Sequence, residues 1–144
     1  MVCRSMTEAD IERLIPMYIE YYNSQDGDEW TEETTYKRIH QVLSREDSRC
    51  MVLEDAGEII ALALGYYEQY DDGFAYDLVE IMVAGDCQKK GIGTTFMKEI
   101  EARVKKDGAL LIQLTAVNDK FHEHFYGKLG YRNASNLVLK TKML

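Results

Sequence analysis

The 144-residue sequence is 46% hydrophobic and 29% charged, the proportions of an ordinary folded domain, with a formal net charge of −8. That acidity argues against nucleic acid as the main partner, and no apolar run approaches the ~20 residues of a membrane span. Cys3, Cys50 and Cys87 are odd in number and lack metal-type spacing, so free thiols in a reducing cytoplasm are expected, with no metal site.

Residues 2–5 predict a short first strand, and Met1–Ser5 has no signal-peptide core. Thr7 is a candidate helix cap with Asp10 in capping-box position. Ile11, Leu14, Ile15, Tyr18, Ile19 and Tyr22 keep helical spacing, and Pro16 within that run is expected to kink or split the helix. After the polar loop 23–29, Thr31 caps a second predicted helix, with Tyr36, Ile39, His40 and Leu43 on one face and Glu32 and Glu33 in its first turn. Residues 50–53 and 59–67 predict a hairpin about the turn 55–58. Asp71-Asp72-Gly73 turns into a fourth strand, Phe74 to Val83.

A third helix is predicted from about Thr94 to Lys106, ended by Gly108, and a buried fifth strand from Leu110 to Thr115. A helix from Phe121 to Leu129 follows, and Tyr131-Arg132 with Leu137 to Thr141 are expected to form a closing hairpin. The predicted order is β-α-α-β-β-β-α-β-α-β-β: a layered α+β fold, one domain over residues 1–144, with helices on both faces of a mixed sheet.

Between the fourth strand and the third helix lies Gln88-Lys89-Lys90-Gly91-Ile92-Gly93. A glycine-rich turn at a helix N-terminus presents backbone N–H groups at the positive end of the helix dipole, a cradle for an anion such as a diphosphate. Lys89 and Lys90 add charge. A Walker loop is excluded because no Gly-x-x-x-x-Gly-Lys-Ser/Thr string exists, and a dinucleotide fingerprint because position 96 is Phe.

The loop resembles the acyl-CoA loop, Gln/Arg-x-x-Gly-x-Gly/Ala, of the GNAT superfamily of N-acetyltransferases. Ile81-Met82-Val83 is similar to the family's pantetheine-binding strand. Phe125-Tyr126-Gly127-Lys128-Leu129-Gly130-Tyr131 resembles its Leu-Tyr-x-Lys-x-Gly-Phe segment. The specific resemblance covers residues 76–131, and the element order extends it to the whole chain. It implies the GNAT fold, a mostly antiparallel mixed sheet, and direct transfer of acetyl from acetyl-CoA to an amine.

The resemblance places Gln88, Lys89, Lys90, Gly91, Ile92, Gly93 and Thr94 on the diphosphate, with the backbone of Ile81, Met82 and Val83 on the pantetheine arm and the oxyanion. It implies a bulge that splays the fourth strand from the fifth. Tyr126 aligns with the family's general acid, and Asn118 or Asp119 falls where an Asn usually meets the pantetheine. The base is open between Glu80, Asp77 and a water relay. Three apart on a strand, the two carboxylates point to opposite faces unless a bulge changes the parity. Glu80, between Val79 and Ile81, is expected in an apolar setting that raises its pKa. His122 and His124, two apart, do not face one metal.

Residues 1–75 carry a net −11 and residues 76–144 a net +3. An anionic cofactor on the basic half and a cationic acceptor on the acidic half account for the split. Asp26, Asp28, Glu29 and Trp30 are the candidate acceptor residues. An aminoglycoside, polyamine or peptide-like amine fits them. The rivals are a non-catalytic acyl-CoA-binding module and an acetyltransferase for protein N-termini or lysines. An exposed strand edge near the C-terminus could pair two copies into a homodimer.

Overall fold

A computed structural model describes residues 1–144. The elements run β1 (Val2–Ser5), α1 (Ile11–Gln25), α2 (Glu32–Leu43), β2 (Met51–Asp55), β3 (Glu58–Tyr70), β4 (Gly73–Val83), α3 (Ile92–Asp107), β5 (Ile112–Leu114) and α4 (Lys120–Lys128). The sheet follows chain order, β1-β2-β3-β4-β5. Its pairs are antiparallel except the last, β4 with β5, which is parallel. No helix is long and apolar enough to cross a membrane.

The sheet has a core on each face. Phe96, Met97, Ile100 and Val104, one stripe of α3, bury against Cys3, Met51, Leu53, Ala61, Ala63, Tyr76 and Leu78. Each large apolar side chain buried this way contributes ~1.5–3 kcal/mol. On the other face Ile11, Leu14 and Tyr18 of α1 and Ile39 and Val42 of α2 cover Val52, Leu62, Leu64 and Met82. The β2–β3 turn has positive φ at both loop residues, Ala56 and Gly57, the backbone that matches strand twist in a two-residue hairpin. Asp10 caps the start of the α1 region by accepting the Thr7 amide at 2.8 Å.

Several elements differ from the sequence expectation. Pro16 does not split α1, which runs unbroken through it. The ring lies on the exposed side of the helix, away from the core that α1 covers. The buried stripe of α2 is Thr35–Ile39–Val42, while Tyr36 and His40 stack on each other outside, 5.5 Å apart. β5 is short and not buried, with Leu110 and Leu111 just ahead of it 61% and 54% exposed. The closing hairpin does not form. A turn remains at Ser135–Asn136, but the arms on either side belong to no strand.

Candidate active site

The site is built where β4 loses its neighbour. β5 pairs with β4 at Tyr76, Asp77 and Leu78 only, yet β4 continues to Val83. From Val79 onward one edge of β4 therefore faces a gap with its backbone groups free of the ladder. At the same point β4 bulges. Its register against β3 jumps from Leu64↔Glu80 to Gly65↔Leu78, leaving Val79 unpaired. Gly65 permits this local packing, because a Cβ there would lie 2.3 Å from the Tyr76 hydroxyl.

The bulge decides the parity question. Glu80 pairs with Leu64 and Asp77 with Tyr66, two residues apart on β3, so both carboxylates point to the α1–α2 face. Their surroundings differ. Asp77 lies below the gap and accepts long hydrogen bonds from Tyr66 (3.5 Å) and Gln113 (3.4 Å), tying β3 to β5. Glu80 lies at the gap, its side chain only 10% exposed. It is not in the apolar setting expected from Val79 and Ile81. Tyr18 donates to it at 2.9 Å, Tyr22 donates to the same Oε1, and Arg38 Nε stands 3.5 Å from Oε2. Burial, then the Glu80 charge, drives the pKa of both phenols well above the usual tyrosine value.

Tyr126 lies on α4 and packs against the core on the α3 face of the sheet. Its ring packs edge-on against Phe125 and Tyr131 at 5.0 and 5.7 Å. Burial pushes its hydroxyl pKa up, with Tyr21 adding to the rise. Tyr21 is itself raised by burial, then by Asp26 and Glu80. Tyr21 thus stands within electrostatic reach of both Glu80 and Tyr126. In the sequence Tyr18 and Tyr22 stand only as members of the α1 stripe, and Tyr21 and Arg38 carry no pattern of their own. The available signal was phenols on an otherwise aliphatic stripe, since buried phenols need partners.

Past the end of β4 the chain makes a 3-10 turn at Gly85–Cys87 and enters α3 through two left-handed residues, Lys89 (φ 63°) and Gly91 (φ 74°). Gly91 is the N-cap, and a Cβ built on it meets nothing within 4 Å. The amides of the first turn of a helix have no partner within the helix, and alternating left- and right-handed backbone ahead of it lets successive amides converge on an anion. The side chain of Gln88 turns inward and donates to the Val83 carbonyl at 3.2 Å, tying the loop to the end of β4. Gly93 lets Phe125 of α4 approach, its would-be Cβ 3.4 Å from that ring.

The other expected residues divide. Asp119 caps α4, accepting the His122 amide at 2.8 Å with the His122 ring at 2.7 Å. These bonds, the backbone one first, hold its carboxyl below the ordinary aspartate value. Asn118 beside it is exposed. Asp26, Asp28 and Glu29 are exposed, and Asn23 clamps the loop by bonding both the amide and the carbonyl of Trp30 at 2.9 and 2.8 Å. The Trp30 ring stands edge-on to Tyr18 at 5.1 Å. An unbroken chain of side chains therefore leads from the acidic loop through Trp30 and Tyr18 to Glu80.

Residues 18–142 match the model of the acetyltransferase (GNAT) domain family. No curated protein matches the sequence. Among solved structures, a possible acetyltransferase from Clostridium difficile 630 shares the fold with a TM-score of 0.84 at 15% identity, over 99% of this chain and 97% of that one. A ribosomal-protein-alanine N-acetyltransferase from Brucella melitensis biovar Abortus 2308 gives 0.78 at 12% identity, over 99% and 100%. An aminoglycoside antibiotic 6'-N-acetyltransferase from Acinetobacter haemolyticus gives 0.73 at 16% identity, over 100% and 99%.

Proposed function

The chain belongs to the GNAT acetyltransferases, and from that premise we propose that it transfers the acetyl group of acetyl-CoA directly to a cationic primary amine. The observation that carries this reading is a coincidence on β4: the pairing with β5 ends at Leu78, the bulge is Val79, and the buried carboxylate is Glu80.

The residues present fit acetyl-CoA. The amides of the Lys89–Thr94 turn and the two lysines would take its diphosphate. The free edge of β4 from Val79 to Val83, including Ile81 and Met82, would pair with its amide-bearing arm. Asn118 remains free to meet that arm, whereas the Asp119 carboxylate is committed to its helix cap. When bound, acetyl-CoA supplies the activated acyl group.

The chain's own residues manage the protons. Glu80 accepts the proton released by the attacking amine, relayed by the Tyr22 hydroxyl that already donates to it. Tyr126 holds its phenolic proton at neutral pH because burial raises its pKa, and it gives that proton to the departing sulfur. As N–C forms and C–S breaks, one proton leaves the amine and one reaches the thiol. Asp77 is assigned to fastening β3 and β5 rather than to proton transfer. Trp30, Asp26, Asp28 and Glu29 receive the acceptor, where carboxylates and an aromatic face favour a cation. A peptide amine and an aminoglycoside both qualify. These are the acceptor classes named for the Brucella and Acinetobacter neighbours.

The test is a panel of polycationic, neutral and anionic amines, read by release of free CoA. Cationic amines should lead the panel, with kcat/KM falling as salt rises. Neutralising Asp26, Asp28 and Glu29 together should raise KM for a polyamine and leave that for acetyl-CoA unchanged. Preference for neutral or anionic acceptors would overturn the acceptor assignment. CoA binding without release for any amine would point to a binding module instead.

A further inference from the structure

Arg38 reaches the site with most of its donors unused. Its Nε stands 3.5 Å from Glu80 Oε2, and that contact is its one side-chain hydrogen bond or ion pair within the chain. The donors on its two terminal nitrogens have no such partner. The Arg38 side chain is 39% exposed, against 10% for Glu80, so the guanidinium extends from a buried carboxylate to where an acceptor can reach it. A guanidinium presents its N–H groups as a planar fork that matches a carboxylate.

The second observation is where that fork lies. Asp28, Glu29, Trp30 and Thr34 line a cavity of about 390 Å³. Arg38 follows Thr34 by four residues in α2, so it sits one turn on along the same side of the helix. Trp30 packs on Tyr18, and Tyr18 donates to Glu80. The α2 wall of the cavity thus leads to a contacting pair of opposite charges, Arg38 and Glu80.

Charge balance decides what fits that pair. Arg38 and Glu80 sum to zero. A bare ammonium adds an unmatched positive charge there, which is costly to desolvate. An ammonium with a carboxylate one carbon away adds none, and its two charges mirror the contact between Glu80 and Arg38.

Resting on the acetyl-transfer reading above, we propose that the acceptor is a free basic α-amino acid whose carboxylate is bound by Arg38. Its α-amine attacks the thioester beside Glu80, and its side-chain cation lies at Asp28 and Glu29. The α-nitrogen forms the N–C bond and gives up one proton toward Glu80, while CoA leaves as the thiol. Arg38 is then the residue that sets acceptor choice.

The test compares L-lysine with L-lysinamide, which lacks the negative charge, by release of free CoA. Arg38→Gln should cut kcat/KM for L-lysine at least ~10-fold more than for L-lysinamide. Taking the ratio of wild type to variant for each acceptor cancels their different amine basicities. Arg38→Lys should keep part of the preference, and mass spectrometry should place the acetyl group on the α-nitrogen. On wild type alone, ε-aminocaproate should compete with L-lysine at least ~10-fold more tightly than ε-aminocaproamide. Equal losses for the two acceptors would reduce Arg38 to a support for Glu80 and overturn the proposal. Equal inhibition by the two competitors, or acetyl on the side-chain nitrogen, would overturn it as well. Transfer to polyamines with none to L-lysine would sink this proposal and leave the acetyl-transfer reading standing. No CoA release with any amine would remove both.

Discussion

Glu80 and Tyr126 carry the two proton functions of the proposed reaction. Glu80 is a buried carboxylate that already accepts from two phenols, while Tyr126 is a phenol whose pKa burial raises. Replacing either by its isostere removes one proton function and little volume. Tyr126→Phe and Glu80→Gln should each lower kcat by roughly 10- to 1000-fold with CoA affinity nearly kept. Unchanged kcat under chemistry-limited conditions would remove the residue from its role. A separate residue pair contributes to acid stability. Arg4 beside Asp10 holds its carboxyl at about 2, below the ordinary 3.8. A depressed carboxyl pKa stabilises the fold above the unfolded value, and the gain is lost as pH falls through the folded one. For this side chain, 6% exposed, that amounts to about 2 kcal/mol. Urea unfolding of wild type should therefore lose more stability between about pH 4 and pH 2 than Asp10→Asn does, which keeps only the losses from the other lowered carboxyls such as Asp107. Parallel pH curves for the two proteins would contradict it.

At the scale of elements, the loop from Gln88 to Gly93 was legible because Gly91 sits where the chain enters the helix through a left-handed backbone. Gly91 has the positive φ that the pattern requires. Gly91→Glu adds a side chain to that strained position and a negative charge to the cradle. Calorimetry should show CoA affinity reduced at least ~10-fold, and equal affinity would refute the cradle. The hairpin at 55–58 and the end of α3 at Gly108 were legible for the same local reason, and the cap at Thr31 because its side chain accepts the Thr34 amide. The bulge in β4 was expected only through the family resemblance, and its position at Val79 was not legible, because a bulge is a relation between two strands and no residue in β4 announces it. Its consequence, Asp77 and Glu80 on one face, was therefore open. The surroundings of Glu80 were hidden because its partners Tyr18, Tyr22 and Arg38 lie 62, 58 and 42 residues away in the chain. The closing hairpin was misread because Leu137–Leu139 has strand composition, but a strand also needs a neighbour to bond.

Across the whole molecule, the charge split follows the proposed division of labour. The basic half holds the α3 loop, and the acidic half holds α1, α2 and the loop at Trp30. In the proposed reading the anionic cofactor and the cationic acceptor meet at the gap between β4 and β5. The account rests on that gap as the place where acetyl-CoA binds, and amide hydrogen exchange tests it directly. With saturating acetyl-CoA, residues 79–83 and 89–94 should gain protection together, while β1 and β2 on the far side of the sheet remain unchanged. Binding that leaves 79–83 and 89–94 exchanging as in the free protein would contradict the account.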